Sequence, residues 1–302
     1  MTTTLIARSP DDLLAAIPIL LGFHPERSIV MLTLGGPHRF HARLDMPEAP
    51  SGVAFAVESL LRPAIRNGVE RVALVLYAPH TRLARLTAET LVAAFTESGI
   101  EVLDCLRAYR GRWYASSRHR APGQPYDPEG HPFRAQAVFD GHVMYETRRE
   151  LAEQIATDPE AVDAVEALLP GAVPLDGAPL WQLVARHVEA GTSATDDEVA
   201  AVLVSMSDQE ARDHGWPDLQ RSAAPAHVRF WSDVVRRAPD SQVAEPAAVL
   251  ALAAWLCGNG ALAWCALDRL FAADPHHRVG VLVAQALTHA VPPTVWDHQA
   301  AR

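Results

Sequence analysis

The chain has 302 residues, a formal charge of −10, 49% hydrophobic and 21% charged residues, and no lysine: all 26 basic residues are arginine. Without a lysine amine there is no ordinary P-loop, no kinase phosphate lysine and no Schiff-base chemistry, because arginine stays protonated and cannot serve as that nucleophile. The acidic total makes nucleic acid and anionic lipid poor default partners, although a local basic patch can override the average. The cysteines, Cys105, Cys257 and Cys265, have no framework spacing and fit a reducing cytosol. The first residues lack a basic-then-apolar leader, and the apolar run 13–21 is too short to span a bilayer and is interrupted by Pro18, so a cytoplasmic protein without membrane segments is expected.

Ser9-Pro10-Asp11-Asp12 is a helix start: a capping hydroxyl, a proline in the first turn and two acids at the positive helix end. Leu13, Leu14, Ile17, Leu20 and Leu21 then share a face, and Gly22 ends the helix. Residues 28–34 read as a buried strand, and 39–46 alternate as a half-exposed strand paired to it. Helical spacing recurs from Val53 to Ile65, where Pro63 should kink or shorten the helix. A continuous apolar strand follows at 71–78, a helix from Leu83 to Phe95, and a strand at 100–108. This alternation predicts a small α/β sheet with right-handed crossovers.

Residues 111–133 hold Pro122, Pro125, Pro128 and Pro132 with glycines between them and read as a long loop or irregular hairpin, the kind of segment that often carries function. A short helix at 135–139 and a short strand at 142–145 are expected after it. From Thr147 onward the pattern is helical, with capping boxes at Thr147/Glu150, Thr195/Glu198 and Ser207/Glu210. Three consecutive helices are expected over 247–257, 261–271 and 278–290. The string WLCGNGALAWCALDRLFAADP resembles one tetratricopeptide unit, but one unit is not an array, and a single helical hairpin packed as core is the preferred reading. The expected organisation is an α/β domain over 1–150, a small mixed sheet with flanking helices, followed by an all-helical domain over 151–302 with tetratricopeptide-like hairpins.

The densest chemistry is Arg107, Arg110, Arg112 and Trp113 with Arg118, His119 and Arg120. Guanidinium forks and aromatic faces there could hold phosphate, carboxylate or a partner, or could form a solvated strand end and loop. His119, Asp127, Glu129, His131 and His142 are of metal-ligand type, but no close His or Cys pair matches a zinc spacing, and no metal or cofactor is expected. His24, Glu26 and Ser28 precede a strand. A linear trio is no evidence of geometry, and a tight connection with a local Glu26–Arg27 pair is the simpler reading. Trp181, Trp231, Trp255 and Trp264 fall on helical faces and read as core or groove packing, and His276-His277 follows a helix end.

The strings DDLLAAIPILLGFHPERSIVMLTL, GRWYASS, GQPYDPEG, ALAAWLCGNGALAWCALDRLFAADP and VPPTVW occur in an order that resembles the actinobacterial family called domain of unknown function 4192. The resemblance implies a compartment and a taxon and carries no activity. It also implies a departure: relatives often carry cysteines just after the Gly-Arg-Trp string, where this chain has Tyr114, Ala115, Ser116 and Ser117. The leading expectation is a non-catalytic binding or adaptor protein, with the arginine-rich loop as an anion or partner surface and the helices as a site for a protein partner or self-association. The alternatives are an enzyme on a small anionic substrate, with Arg107, Arg110 and Arg112 as clamps and His119, His131 or Asp127 as acid or base, and, more weakly, a nucleic-acid accessory protein.

Overall fold

A computed structural model describes residues 7–35, 40–116, 122–141, 143–215 and 219–297. The chain forms two compact units, Met1–Arg148 with Thr288–Ala290, and Arg149–Leu287 with Val291–Arg302.

In the first unit α1 (Pro10–Leu21) begins at a complete capping box, in which Ser9 accepts from the Asp12 amide and Asp12 accepts from the Ser9 amide. It runs through Pro18 and ends at Gly22, whose φ of 78° is the left-handed conformation a helix stop needs. Then come β1 (Ser28–Leu34), β2 (His41–Asp45), α2 (Val53–Arg66), β3 (Arg71–Tyr77), α3 (Arg82–Glu97), β4 (Glu101–Tyr109), β5 (Arg112–Ala115), β6 (Gln124–Pro125) and α4 (Pro132–Phe139).

Among the described residues the strands form one mixed sheet in the order β2-β1-β3-β4-β5-β6. The sheet is mixed, as expected: β1 pairs antiparallel with both β2 and β3, and only β3 and β4 run parallel, joined through α3. Of the long loop or irregular hairpin expected at 111–133, the first part is hairpin: β5 pairs antiparallel with β4, and β6 with β5, so the proline-rich stretch opens as an extension of the sheet. Helix α2 continues through Pro63 instead of stopping there, with Pro63 and Ala64 both buried.

Ile29, Met31, Val72, Leu74 and Leu76 point to one face of the sheet and pack with Leu60 of α2 and Leu91 and Phe95 of α3. The opposite face carries α1. His41, paired with Leu32, reaches the Leu20 carbonyl, and Leu14 and Pro18 share a cavity wall with Tyr77 and Ala108. The sheet is therefore covered on both sides, as the apolar run of β3 requires.

The second unit is helical throughout its described residues. It comprises α5 (Arg148–Glu153), α6 (Pro159–Leu168), α7 (Gly177–Ala190), α8 (Asp196–Met206), α9 (Gln209–Asp213), α10 (Ala224–Arg237), α11 (Ala244–Leu256), α12 (Gly260–Ala273), α13 (Arg278–Thr288) and α14 (Thr294–Asp297). Helix α11 is buried on every side from Pro246 to Leu256, the pattern of a central helix, and packs against α10 and α12. Trp181 and Trp231 are buried with ring centroids 5.9 Å apart, and Trp255 is buried, whereas Trp264 is 37% exposed.

Two arginines of this unit are held by several acceptors each: Arg269 donates to the Ile155 and Val235 carbonyls, and Arg237 to Asp196, Asp233 and the Ala194 carbonyl. The box at Thr195/Glu198 forms. At the next start the cap is Asp208, one residue beyond the expected Ser207, because its carboxylate accepts from the Ala211 amide. His277 precedes α13, accepts from the Gly280 amide and lies 3.1 Å from Glu245, so it opens a helix besides following one.

Candidate ligand-binding site

A cavity of about 470 Å³ opens in the first unit at the carboxyl end of the parallel strands β3 and β4. Such an edge is where open α/β sheets commonly bind ligands, because the chain leaves each strand there and side chains from separate connections converge. The register explains which residues meet. Ser28 of β1 pairs with Tyr77 of β3, Tyr77 pairs with Ala108 of β4, and the Ala78 amide extends the ladder to the Ala108 carbonyl. Arg27 before β1, Tyr77 ending β3 and Arg110 after β4 therefore occupy one edge. The β1 and β4 backbones lie roughly 10 Å apart, two strand spacings, a gap that two arginine side chains can span.

Arg27 and Arg110 line this cavity and are both exposed. Their φ values are 43° and 48°, and the only other described non-glycine residue with positive φ is Ala290. Arg110 and Gly111 (φ 68°) form the two-residue connection of the β4–β5 hairpin, in which Tyr109 pairs with Arg112. Positive φ at both central residues is the type I′ signature, which favours Asn-Gly. An arginine at each of these positions costs conformational energy, and such strain gathers at functional sites. Neither guanidinium makes an ion pair among the described residues; Arg110 lies 5.2 Å from the Tyr109 ring.

Deeper in, the Tyr77 hydroxyl and His24 Nε2 are buried without a hydrogen bond. His24 Nε2 does lie 3.2 Å from Glu129 Oε1, off line for a hydrogen bond, and Glu129 is also held by Arg134 at 2.6 Å. Burial raises the hydroxyl pKa of Tyr77 well above the usual phenol value, with the nearby Tyr126 adding to it, and burial raises that of Tyr126 as well. Both stay protonated at neutral pH and can donate to an anion or a hydroxyl.

The other residues singled out in the sequence occupy different places. Arg107 stacks 3.9 Å over the Tyr114 ring and donates to the Ala78 carbonyl. Arg112 donates to the Gly123 carbonyl, and Trp113 Nε1 donates to Asp11 at 2.9 Å. Asp127 closes a turn by accepting from the Glu129 and Gly130 amides. His131 caps α4: its Nδ1 accepts from the Phe133 amide, which puts the proton on Nε2, where it faces Asp12 at 3.1 Å. Arg118, His119, Arg120 and His142 lie outside the described residues.

Ser28 donates to the Glu26 carbonyl and is fully buried, so it does not present a nucleophile, and Glu26 and Arg27 form no ion pair with each other. Burial pushes the thiols of Cys105 and Cys257 up to about 11, far from a reactive thiolate. Among the described residues no group of three His, Cys, Asp or Glu side chains is placed to hold a metal ion, and no helix is long and apolar enough to cross a membrane.

Of the cavity's polar groups, Arg110 belongs to the arginine-rich candidate stretch, and His24 and Glu26 to the trio for which a tight connection was the simpler reading. Tyr77 sat inside an apolar strand, and the His24–Arg27 stretch read as a connection. No curated protein and no solved structure matches the chain. The family described as domain of unknown function (DUF4192) matches residues 10–294, nearly the whole length, and the chain belongs to that family.

Proposed function

We propose that this protein is a binding protein for a small anionic ligand, held in the cavity at the carboxyl edge of β3 and β4 by Arg27 and Arg110. The observation that carries this reading is the pair of left-handed arginines on one cavity, without carboxylate partners among the described residues. Two guanidiniums on neighbouring connections suit a phosphate or carboxylate, which they can grip by parallel hydrogen bonds. Arg107, Arg112 and Trp113 do not line this cavity, and their polar groups are engaged within the unit. That engagement, with the charge of −10, leaves nucleic acid a poor fit. Titration with organic phosphates and carboxylates tests the reading: Arg27→Ala or Arg110→Ala should weaken binding by about tenfold or more, the worth of a lost charge-assisted hydrogen bond. Unchanged affinity in both variants would remove it.

The helical unit fits an adaptor role beside this. The α11–α12 hairpin, with Asn259 capping α12, is the tetratricopeptide-like element, and Trp264 and Leu282 are exposed apolar side chains available to a protein partner or a second copy. Light scattering on the wild type and on Leu282→Glu checks self-association. An enzymatic reading keeps one specific observation, that the cavity residue His24 is paired with Glu129, which could poise a base. It predicts turnover of activated esters or phosphate esters that is lost in His24→Ala. The free cysteines are compatible with action in the cytoplasm.

A further inference from the structure

The cavity has two chemically different ends. Arg27 and Arg110 stand exposed at its mouth, whereas the Tyr77 hydroxyl and His24 Nε2 are buried without a hydrogen bond among the described residues, His24 Nε2 having the Glu129 carboxylate 3.2 Å away but off line. Between them the lining is apolar, with Leu14, Pro18 and Pro79 among its walls. Buried polar atoms in native proteins are nearly always satisfied, and leaving one unpaired costs about 1–3 kcal/mol. Two such atoms lining one cavity point to a group that satisfies them when the cavity is filled.

We infer that the ligand has an anionic head and a hydroxylated body: the head sits between Arg27 and Arg110, and a hydroxyl at the far end bonds Tyr77 and His24. The inference rests on the anion-binding reading above and adds the second recognition point. A hydroxyl suits this end because it donates and accepts at once. Tyr77 remains a protonated phenol and can donate to the ligand oxygen, and the His24 ring nitrogen offers a second hydrogen-bonding atom beside it. A carboxylate or phosphate at this end would lie next to Glu129, 3.2 Å from His24, and be repelled. A cavity of about 470 Å³ lies within the range of small-molecule sites and accommodates a body of five or six carbons. Sugar phosphates and sugar acids share this chemistry.

Matched probes separate the two ends of the site. Ribose 5-phosphate is compared with pentyl phosphate, and gluconate with hexanoate, by titration calorimetry on the full-length protein. The hydroxylated member of at least one pair should bind about tenfold tighter than its alkyl partner, because only it satisfies the buried atoms. The pair that discriminates tells phosphate from carboxylate. Tyr77→Phe should bring the two members of that pair to within about twofold by weakening the hydroxylated one alone.

If both members of each pair bind equally to the wild type, yet both weaken in Arg27→Ala, the anion site stands and the second recognition point is refuted. Binding that ignores Arg27→Ala and Arg110→Ala refutes the underlying reading instead. If none of the four probes binds, both fall. The wild-type comparison stands by itself should Tyr77→Phe fail to fold.

Discussion

Arg27 and Arg110 hold left-handed backbone at φ 43° and 48°, a region that costs an L-residue with a Cβ roughly 1–2 kcal/mol. Arg110 stands where a type I′ hairpin favours asparagine or glycine. Arg110→Asn should therefore raise stability by about 1 kcal/mol, read as a higher urea midpoint, while weakening anion binding. Arg27→Gly should behave the same way, although glycine returns part of the gain as lost chain entropy. A drop in stability in both variants would show that the arginines are structural. The opposite signs for stability and binding separate a functional arginine from an accidental one.

Helix α1 forms one wall of the cavity and is held at its start by carboxylates. Asp11 accepts from Trp113, and Asp12 accepts from the Arg8 and Ser9 amides and faces His131. The Arg8 amide is the largest influence holding the Asp12 carboxyl below the usual range, with Ser9 and His131 adding to it against burial. Asp12→Ala should cost about 1–2 kcal/mol by urea unfolding, from the lost cap and the released His131. The Asp12 contribution is present above pH 3.8, its ordinary pKa, and is lost as pH falls through the depressed folded value.

His41, under the other end of α1, acts at higher pH. Burial lowers its pKa from 6.5, and the hydrogen bond to the Leu20 carbonyl offsets only part of that. The unfolded chain therefore binds more protons below about pH 6.5, and stability falls from there toward the depressed folded pKa. His41→Gln should flatten the slope of the urea midpoint between pH 7.5 and 5, and an unchanged slope would assign the loss to other groups.

At the scale of the molecule, the two units differ in what specifies them. The sheet unit depends on pairing between distant segments, and the helical unit on close packing around α11. Gly215 shows how tight the second is, since a Cβ there would lie 1.9 Å from the Trp181 ring. Gly215→Ala should destabilise by about 1–3 kcal/mol, as overpacking does, seen as an earlier calorimetric transition. Anion binding measured well below that transition should be unchanged.

Much of the architecture was legible in the amino-acid order. The capping box at Ser9, the apolar strand at Arg71–Tyr77 and the helical spacing of the second half are local or short-period signals, and each produced its element. Strand direction was not legible, because an antiparallel β1–β3 pair and a parallel one bury the same alternating side chains. The strands inside the proline-rich stretch were legible only as one of two alternatives, because β5 and β6 are short and carry no alternating pattern of their own.

The candidate site was the least visible part. His24, Arg27, Tyr77, Arg110 and Tyr126 are spread over a hundred positions, and none has a spacing that marks a motif. Composition alone settled the absence of a lysine amine and the guanidinium character of every fixed positive side-chain charge. Only the sheet order brought those five residues to one cavity, because adjacency across strands is decided by hydrogen-bonded register between segments far apart in the chain.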